Sequence, residues 1–328
     1  MKKLLVILLG IFLMVGIIGL EKRGLAAEKY PVKPITFISP VEAGGGADVQ
    51  ARPLVENLSK ILGVPVVVIN KPGAGSSIAN RAVYEAKPDG YTIGNGTASI
   101  VANKLMGLLP FHYRDFTILG AFLDAVPVIV AAIKTQRPFK SMDEVVKFAR
   151  ANPGEVSMAS GAKGQIWWIA ANDFLNVAGI KVKIIPQEGA GAFSIIQVAG
   201  GHTDLGCLGI AEGKPQIDAG NARILATFGK RRPFAYPDCP TLEELGFKVK
   251  ISSLNVVMGP PNMPKDVVDI LVKAVEKAAK DPDYRKFLEE RNNTVSLYLT
   301  PEESTRQYDE QRIVFTEVLG AAGLLKQK

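Results

Sequence analysis

Histidine, cysteine and tryptophan occur only twice each in 328 residues, and these scarcities exclude more than any motif includes. His112 lies in Pro110-Phe111-His112-Tyr113 and His202 in Gly200-Gly201-His202-Thr203-Asp204. Each reads as an ordinary loop histidine with no nucleophile placed beside it. No G-x-S-x-G elbow and no G-x-x-x-x-G-K-[ST] phosphate loop occurs. Gly73-Ala74-Gly75 starts like a dinucleotide fingerprint, but Ile78 stands at the third glycine position and no acid ends the following strand. Cys207 and Cys239, with two distant histidines, are too few to hold a metal. They are either a disulfide or two buried thiols, which spacing alone does not decide. Basic runs with interleaved aromatics are also missing, which removes nucleic acid as a partner.

Long apolar runs are absent with one exception. Leu4 to Leu20 is an unbroken stretch of 17 apolar or glycine residues behind Met1-Lys2-Lys3. It is followed by Glu21, Lys22 and Arg23, then Gly24-Leu25-Ala26-Ala27. A basic start, an apolar middle and small residues describe a secretory signal peptide over residues 1–27. The alternative is an uncleaved anchor, because 17 residues just reach across a bilayer. Both place the remainder outside the cytoplasm, periplasmic or otherwise extracytoplasmic. The segment also inflates the charge. Its four cations against Glu21 hold three of the net +7, which leaves a mildly basic +4.

What the chain has in quantity is alternation. Strand-like segments at Ile35–Ser39, Val64–Ile69, Tyr91–Gly94, Val126–Ile133, Val156–Ala159, Val182–Ile185, Asp204–Leu208 and Ile224–Phe228 are separated by helical patterns. Helices are expected at about Asp48–Leu62, Ser76–Glu85, Pro264–Lys280 and Pro301–Ala322. Ser141-Met142-Asp143-Glu144 and Thr241-Leu242-Glu243-Glu244 have the form of capping boxes. The fold class is α/β, with mostly parallel sheets flanked by helices. The length exceeds a usual single core, so two domains are expected. Domain one is discontinuous, 28–132 and 250–328, and domain two is 133–249.

Four small-residue loops each follow a strand and precede a helix: Pro40–Asp48, Asn95–Ser99, Ser160–Gln165 and Gln187–Ala192. In open α/β sheets, ligands lie outside the carboxyl ends of strands. Helix N-termini there offer unpaired N–H groups that suit an anion. Any one loop is either such a junction or a plain tight turn. Four of them split between the two halves point to a shared cleft. The tryptophans, Trp167 and Trp168, are neighbours on a helical pattern about 100° apart, so one can face that cleft while the other packs.

The ordered pieces resemble the solute-binding proteins of tripartite tricarboxylate transporters, also called Bug receptors. They are Tyr30-Pro31-Val32-Lys33-Pro34-Ile35, Ala43-Gly44-Gly45-Gly46-Ala47-Asp48 with Ala51-Arg52, and Val67 to Gly75. Pro88-Asp89-Gly90-Tyr91-Thr92, Ala151-Asn152-Pro153-Gly154, Gly200-Gly201 with Asp204, Pro237 to Thr241 and Pro260-Pro261 follow. The resemblance implies a two-domain, periplasmic-binding-protein-like clamshell that closes on a small carboxylate-bearing solute. It implies a monomer without catalytic residues or cofactor that delivers its ligand to membrane permease subunits. A sensory receptor for a two-component kinase is the first alternative, an exported α/β enzyme the second.

Carried over residue by residue, the resemblance assigns ligand contacts to Ala43, Gly44, Gly45 and Asp48 in the first loop, and to Thr97 and Ser99 in the second; Asp48, in the first turn of its helix, reads more as a cap that orders the loop than as a ligand contact. It adds Ser160, Gly161, Gly164 and Gln165 in the third, Gly189 and Ala190 in the fourth, and Asp204. Three departures change the chemistry. Trp168 stands at the family's histidine position, Glu188 replaces a lysine, and Glu42 adds an acid to the glycine loop. Taken as cleft residues, the two glutamates disfavour a small polyanion by like-charge repulsion. They favour a ligand with an amine or many hydroxyls, and Trp168 is placed to stack on it. The other reading leaves both glutamates solvated on the rim and Trp168 in the core.

Overall fold

A computed structural model of the chain describes residues 30–326, apart from 189, 231, 250, 252 and 292–294. The proposed signal segment, residues 1–27, lies outside the described residues. Two sheets organise the rest. The first has the order β11-β4-β10-β3-β1-β2. Its strands are β1 Ile35–Ser39, β2 Val66–Asn70, β3 Thr92–Gly96, β4 Thr117–Asp124, β10 Leu254–Gly259 and β11 Val295–Leu299. The second, β7-β6-β8-β5-β9, is built from β5 Pro127–Ala132, β6 Ser157–Gly161, β7 Lys183–Gln187, β8 Leu205–Gly209 and β9 Ala222–Thr227.

Both sheets are mixed, where the sequence suggested mostly parallel ones. β1 runs parallel to β2 and β3, and β6 parallel to β7 and β8. The strands that carry the chain between lobes, β4, β5 and β10, pair antiparallel with their neighbours. A strand that enters from the other lobe is not bound by the right-handed crossover that makes βαβ units parallel. The first crossing is at residues 125–126, because β5 already pairs in the second sheet. The sequence-based division had kept those strand residues, up to 132, in the first lobe. The return strand runs beside the outgoing one: the Ala125 N–H donates to the Ser253 carbonyl at 3.0 Å and the Ser253 N–H to Asp124 Oδ1 at 2.8 Å.

Helices cover the sheets as the periodicity requires. In the first lobe these are α1 Gly46–Leu62, α2 Ser77–Tyr84 and α3 Ser99–Leu105. The second lobe has α4 Met142–Ala151, α5 Ile166–Ala178, α6 Ala190–Ala199 and α7 Ile210–Asp218. Then come α8 Lys265–Ala279, α9 Pro282–Lys286 and α10 Pro301–Ala321. α8 buries Val267, Leu271, Ala274, Val275 and Ala278 at helical spacing, each large side chain contributing roughly 1.5–3 kcal/mol. α10 opens with Pro301 behind Thr300, whose hydroxyl accepts from the Glu303 N–H. Its Tyr308 hydroxyl reaches the Gly96 and Leu254 carbonyls inside the core. The helix also packs on α5, so it braces one lobe against the other.

One local expectation changes, and one strand went unread. Thr241 and Glu244 do exchange the reciprocal capping bonds, at 2.8 and 3.0 Å, yet only turns follow them. A cap satisfies orphan donors but does not propagate a helix against Gly246 and a short connection. Strand β4, over residues that the sequence had not marked as a strand, is buried along almost its whole length and holds Gly120 at φ +130°. A strand buried on both faces has no alternation to read.

Candidate functional site

Strand ends and helix starts from both lobes converge on one cavity, with about 650 Å³ of atom-free space including its mouth. Val41, Gly46, Ala47 and Gln50 reach it from the β1–α1 junction, and Thr97 and Ser99 from the β3–α3 junction, with Ser76 beside them. The second lobe supplies Gln165, Ile166 and Trp167 where β6 meets α5, and Gly209 to Glu212 where β8 meets α7. Ala125, Val126, Ser253 and Asn255 of the two crossing strands line it as well. Of the residues that line this cavity, none is lysine, arginine or histidine, and Glu212 alone is ionisable. The positive potential in it comes from backbone: the first N–H groups of α1 and α5 have no partner in their own helices.

The glycine loop is ordered from beneath. Asp48 is fully buried and accepts from the Gly44 N–H at 3.0 Å, Arg52 Nε at 2.7 Å and Asn70 Nδ2 at 2.7 Å. Burial pulls its carboxyl upward, but the bonds from Arg52, Gly44 and Asn70 outweigh it and hold the carboxyl below its usual range. Gly44 takes φ +83°, a conformation that costs an L side chain about 1–2 kcal/mol. Gly45 closes the turn by donating to the Glu42 carbonyl at 3.0 Å and then caps α1 through its own carbonyl.

In the second lobe, Gln165 Oε1 accepts from the Ala162 N–H at 3.0 Å and fixes the loop before α5. Trp167 turns its indole into the cavity and donates its N–H to Glu212. The Glu212 carboxyl also accepts from the Gly209 N–H at 3.0 Å and from the Gly191 N–H. A Cβ on Gly191 would lie 1.9 Å from Glu212 Oε2, so only glycine admits the carboxyl here. Gly46 of the first lobe is on its other side, where a Cβ would lie 3.2 Å from Cδ. Burial pushes this carboxyl from its ordinary 4.5 up to about 7, against the pull of its three N–H donors.

A row of buried polar atoms runs under the cavity through three adjacent strands. Ser39 Oγ, both amide atoms of Asn95 and Asn255 Oδ1 have no protein partner. Asn255 Nδ2 donates to the Ser253 carbonyl at 3.0 Å, which fixes the orientation of its amide. Orphaned groups of this kind cost about 1–3 kcal/mol each unless water or ligand meets them.

Of the residues singled out from sequence, Thr97, Ser99 and Gln165 line the cavity. Gly44, Gly45 and Asp48 build the loop that carries Gly46 and Ala47 into it. Ser160 and Gly161 are buried below the α5 loop, and Gly164 abuts Met106 of the first lobe. Ala43 is exposed. Ala190 begins α6, and Gly189 lies outside the described residues. Glu42 and Glu188 are both exposed and do not line the cavity. Trp168 is 5% exposed and packs in the core, so the tryptophan facing the cleft is Trp167. Asp204 sits at the opposite end of the second sheet, held by Arg137 at 3.1 Å and by Ser157 at 2.8 Å. Burial is overcome there by Arg137 and Ser157, and the carboxyl is held low. The sequence reading missed Glu212. Its signal was Gly209-Ile210-Ala211-Glu212, an acid at the third position of a helix that opens at a strand end. The cysteines are free and buried. Among the described residues no cluster could hold a metal ion, and no helix is long and apolar enough to cross a membrane.

Known proteins share this architecture. A Cupriavidus necator protein, "UPF0065 protein in gbd 5'region", is 29% identical over 263 residues, covering 80% of this chain and 79% of its own. The solved structure of the periplasmic binding protein BugD is 27% identical, with a TM-score of 0.78 over 91% of this chain and 100% of that one. An R. palustris protein solved with adipate shares the fold at 23% identity, with a TM-score of 0.81 over 90% of this chain and 98% of that one. With the model of the tripartite tricarboxylate transporter family receptor, TctC, matching residues 50–313, the chain belongs to that family of solute-binding receptors.

Proposed function

We propose that this protein is an extracytoplasmic receptor that captures a small carboxylate-bearing solute between its lobes and passes it to membrane permease subunits without chemical change. The observation that carries this reading is the cavity itself. Helix N-termini and the hydroxyls of Ser76, Thr97 and Ser99 meet there without a single cation. Such a lining binds an anion through backbone dipoles and hydrogen bonds, leaving a ligand that can be released again. Covalent catalysis in the same cleft needs a base beside a nucleophile. The sole candidate base, Glu212, is engaged by three N–H donors. BugD and the adipate-bound protein, which share the fold, are consistent with binding rather than turnover. The apolar segment at residues 4–20 fits export by a signal peptide.

A thermal-shift screen of carboxylates, amino acids and aromatic acids tests the proposal, because a ligand that binds only the folded form raises the melting temperature. A carboxylate that raises the midpoint and is recovered unaltered is the expected result. A neutral compound that shifts it while every carboxylate fails, or a product accumulating with time, defeats the reading.

A further inference from the structure

Glu212 is an anomaly in a cavity built for an anion. Its carboxyl already sits where helix N-termini from both lobes converge, between the Gly191 N–H, the Gly209 N–H and Gly46 of α1. Trp167 adds a fourth side to the enclosure. All named contacts to its oxygens are N–H donors, which match a carboxylate rather than an acid proton. Two glycines make room for it, since a Cβ at Gly191 or Gly46 would press against its carboxyl atoms. Asn255 gives a second, independent observation. It is 2% exposed, lines the same cavity, and its Oδ1 is an acceptor without a partner.

We propose that Glu212 determines specificity by acting as a built-in anion, so that the site takes a monocarboxylate whose far end carries an ammonium or another hydrogen-bond donor, and rejects a dicarboxylate. The inference rests on the carboxylate-receptor reading above and narrows its ligand class. The ligand's own carboxylate is left the N–H groups that open α5 and the hydroxyls of Thr97 and Ser99, because Gly46 at the start of α1 abuts the Glu212 carboxyl. Two further groups along the cavity, the Glu212 carboxylate and Asn255 Oδ1, can only accept, beside the Gln50 and Gln165 amides and the Ser76 and Ser253 hydroxyls, which can also donate. A donor meets them favourably, whereas a second carboxylate meets like charge in a partly enclosed site and leaves Asn255 unpaired. The exclusion works by charge, and the Glu212 side chain supplies it with no lysine or arginine in the cavity lining.

The test is calorimetric titration at pH 8 of two straight-chain series of three to eight carbons, the α,ω-dicarboxylates and the ω-amino acids, into wild-type protein and Glu212→Gln. 1,6-Diaminohexane serves as a carboxylate-free probe. In wild type the best amino acid should bind at least ten-fold tighter than the dicarboxylate of equal length. Glu212→Gln should narrow that ratio to three-fold or less or reverse it, with both variants showing the same far-ultraviolet spectrum. Equal or tighter binding of the dicarboxylate by wild type overturns the proposal, and that arm needs no variant to fold. An unchanged ratio in Glu212→Gln overturns the role of this residue. Binding of the diamine, with both carboxylate series silent, sinks the carboxylate reading itself and this inference with it, as does silence of all probes.

Discussion

Replacing Asp48 with alanine removes the acceptor on which the glycine loop rests. Three partners lose it: the Gly44 N–H, the Asn70 amide and the Arg52 guanidinium. Arg52 is 49% exposed and returns to water, so its share is at most about 1 kcal/mol. Gly44 is exposed and its N–H can return to water, whereas Asn70 is half-buried and its amide left without the acceptor costs about 1–3 kcal/mol. The sum is a loss of about 1–4 kcal/mol, read as a shift in the urea midpoint at unchanged slope. Arg52→Ala is the internal control and should lose less than about 1 kcal/mol. Because Gly44 and Gly45 lead directly into the N–H groups of α1, ligand affinity should fall about ten-fold in Asp48→Ala even where the protein is fully folded. A loss under about 1 kcal/mol with unchanged affinity would refute the claim that Asp48 orders the ligand-facing loop.

Other consequences follow from single groups. The Glu212 carboxyl is raised from 4.5 to about 7 in the folded chain. Its stabilising contribution is therefore complete below pH 4.5 and is lost as pH rises through 7, by up to about 3 kcal/mol. Glu212→Gln should flatten the stability profile in that window, and parallel profiles for the two proteins would contradict the assignment. Gly44→Val forces a β-branched residue to φ +83° and should destabilise by 1–2 kcal/mol or more; a neutral effect in denaturation would show that the turn adapts. Cys207 and Cys239 are buried and free, and burial pushes the Cys239 thiol up to about 12. Native protein should resist a thiol reagent that modifies both after unfolding, whereas fast modification in buffer would show that the site opens.

Much of the lobe architecture was legible because it is written in local pattern. The β1–α1 unit shows it well: Ile35–Ser39 alternates with a helix whose first-turn Asp48 and C-terminal Gly63 mark its ends. The hinge was harder, because Val126 to Ile133 reads as one strand whichever sheet it joins, and pairing is a tertiary choice. The site divides the same way. Thr97, Ser99 and Gln165 follow from their positions just beyond strand ends. Glu42 and Glu188 stayed open between cleft and rim because loop membership says nothing about the direction of a side chain; both are exposed and outside the cavity lining. Glu212 carried a capping signal in the sequence, but its role depends on Gly191, Gly46 and Trp167, brought to it from other elements. The Trp167–Trp168 pair shows the limit most sharply. Helical geometry says only that one of them can face the cleft while the other packs, and packing says that it is Trp167.

The most direct measurement of the central claim is a crystal structure with the tightest-binding carboxylate from the screen. The account predicts one ligand in the cavity between the lobes. Its carboxylate should lie within hydrogen-bond distance of Thr97 or Ser99 and of the N-terminus of α1 or α5. A ligand bound elsewhere, or a carboxylate turned against Glu212 with those N–H groups unused, would contradict it.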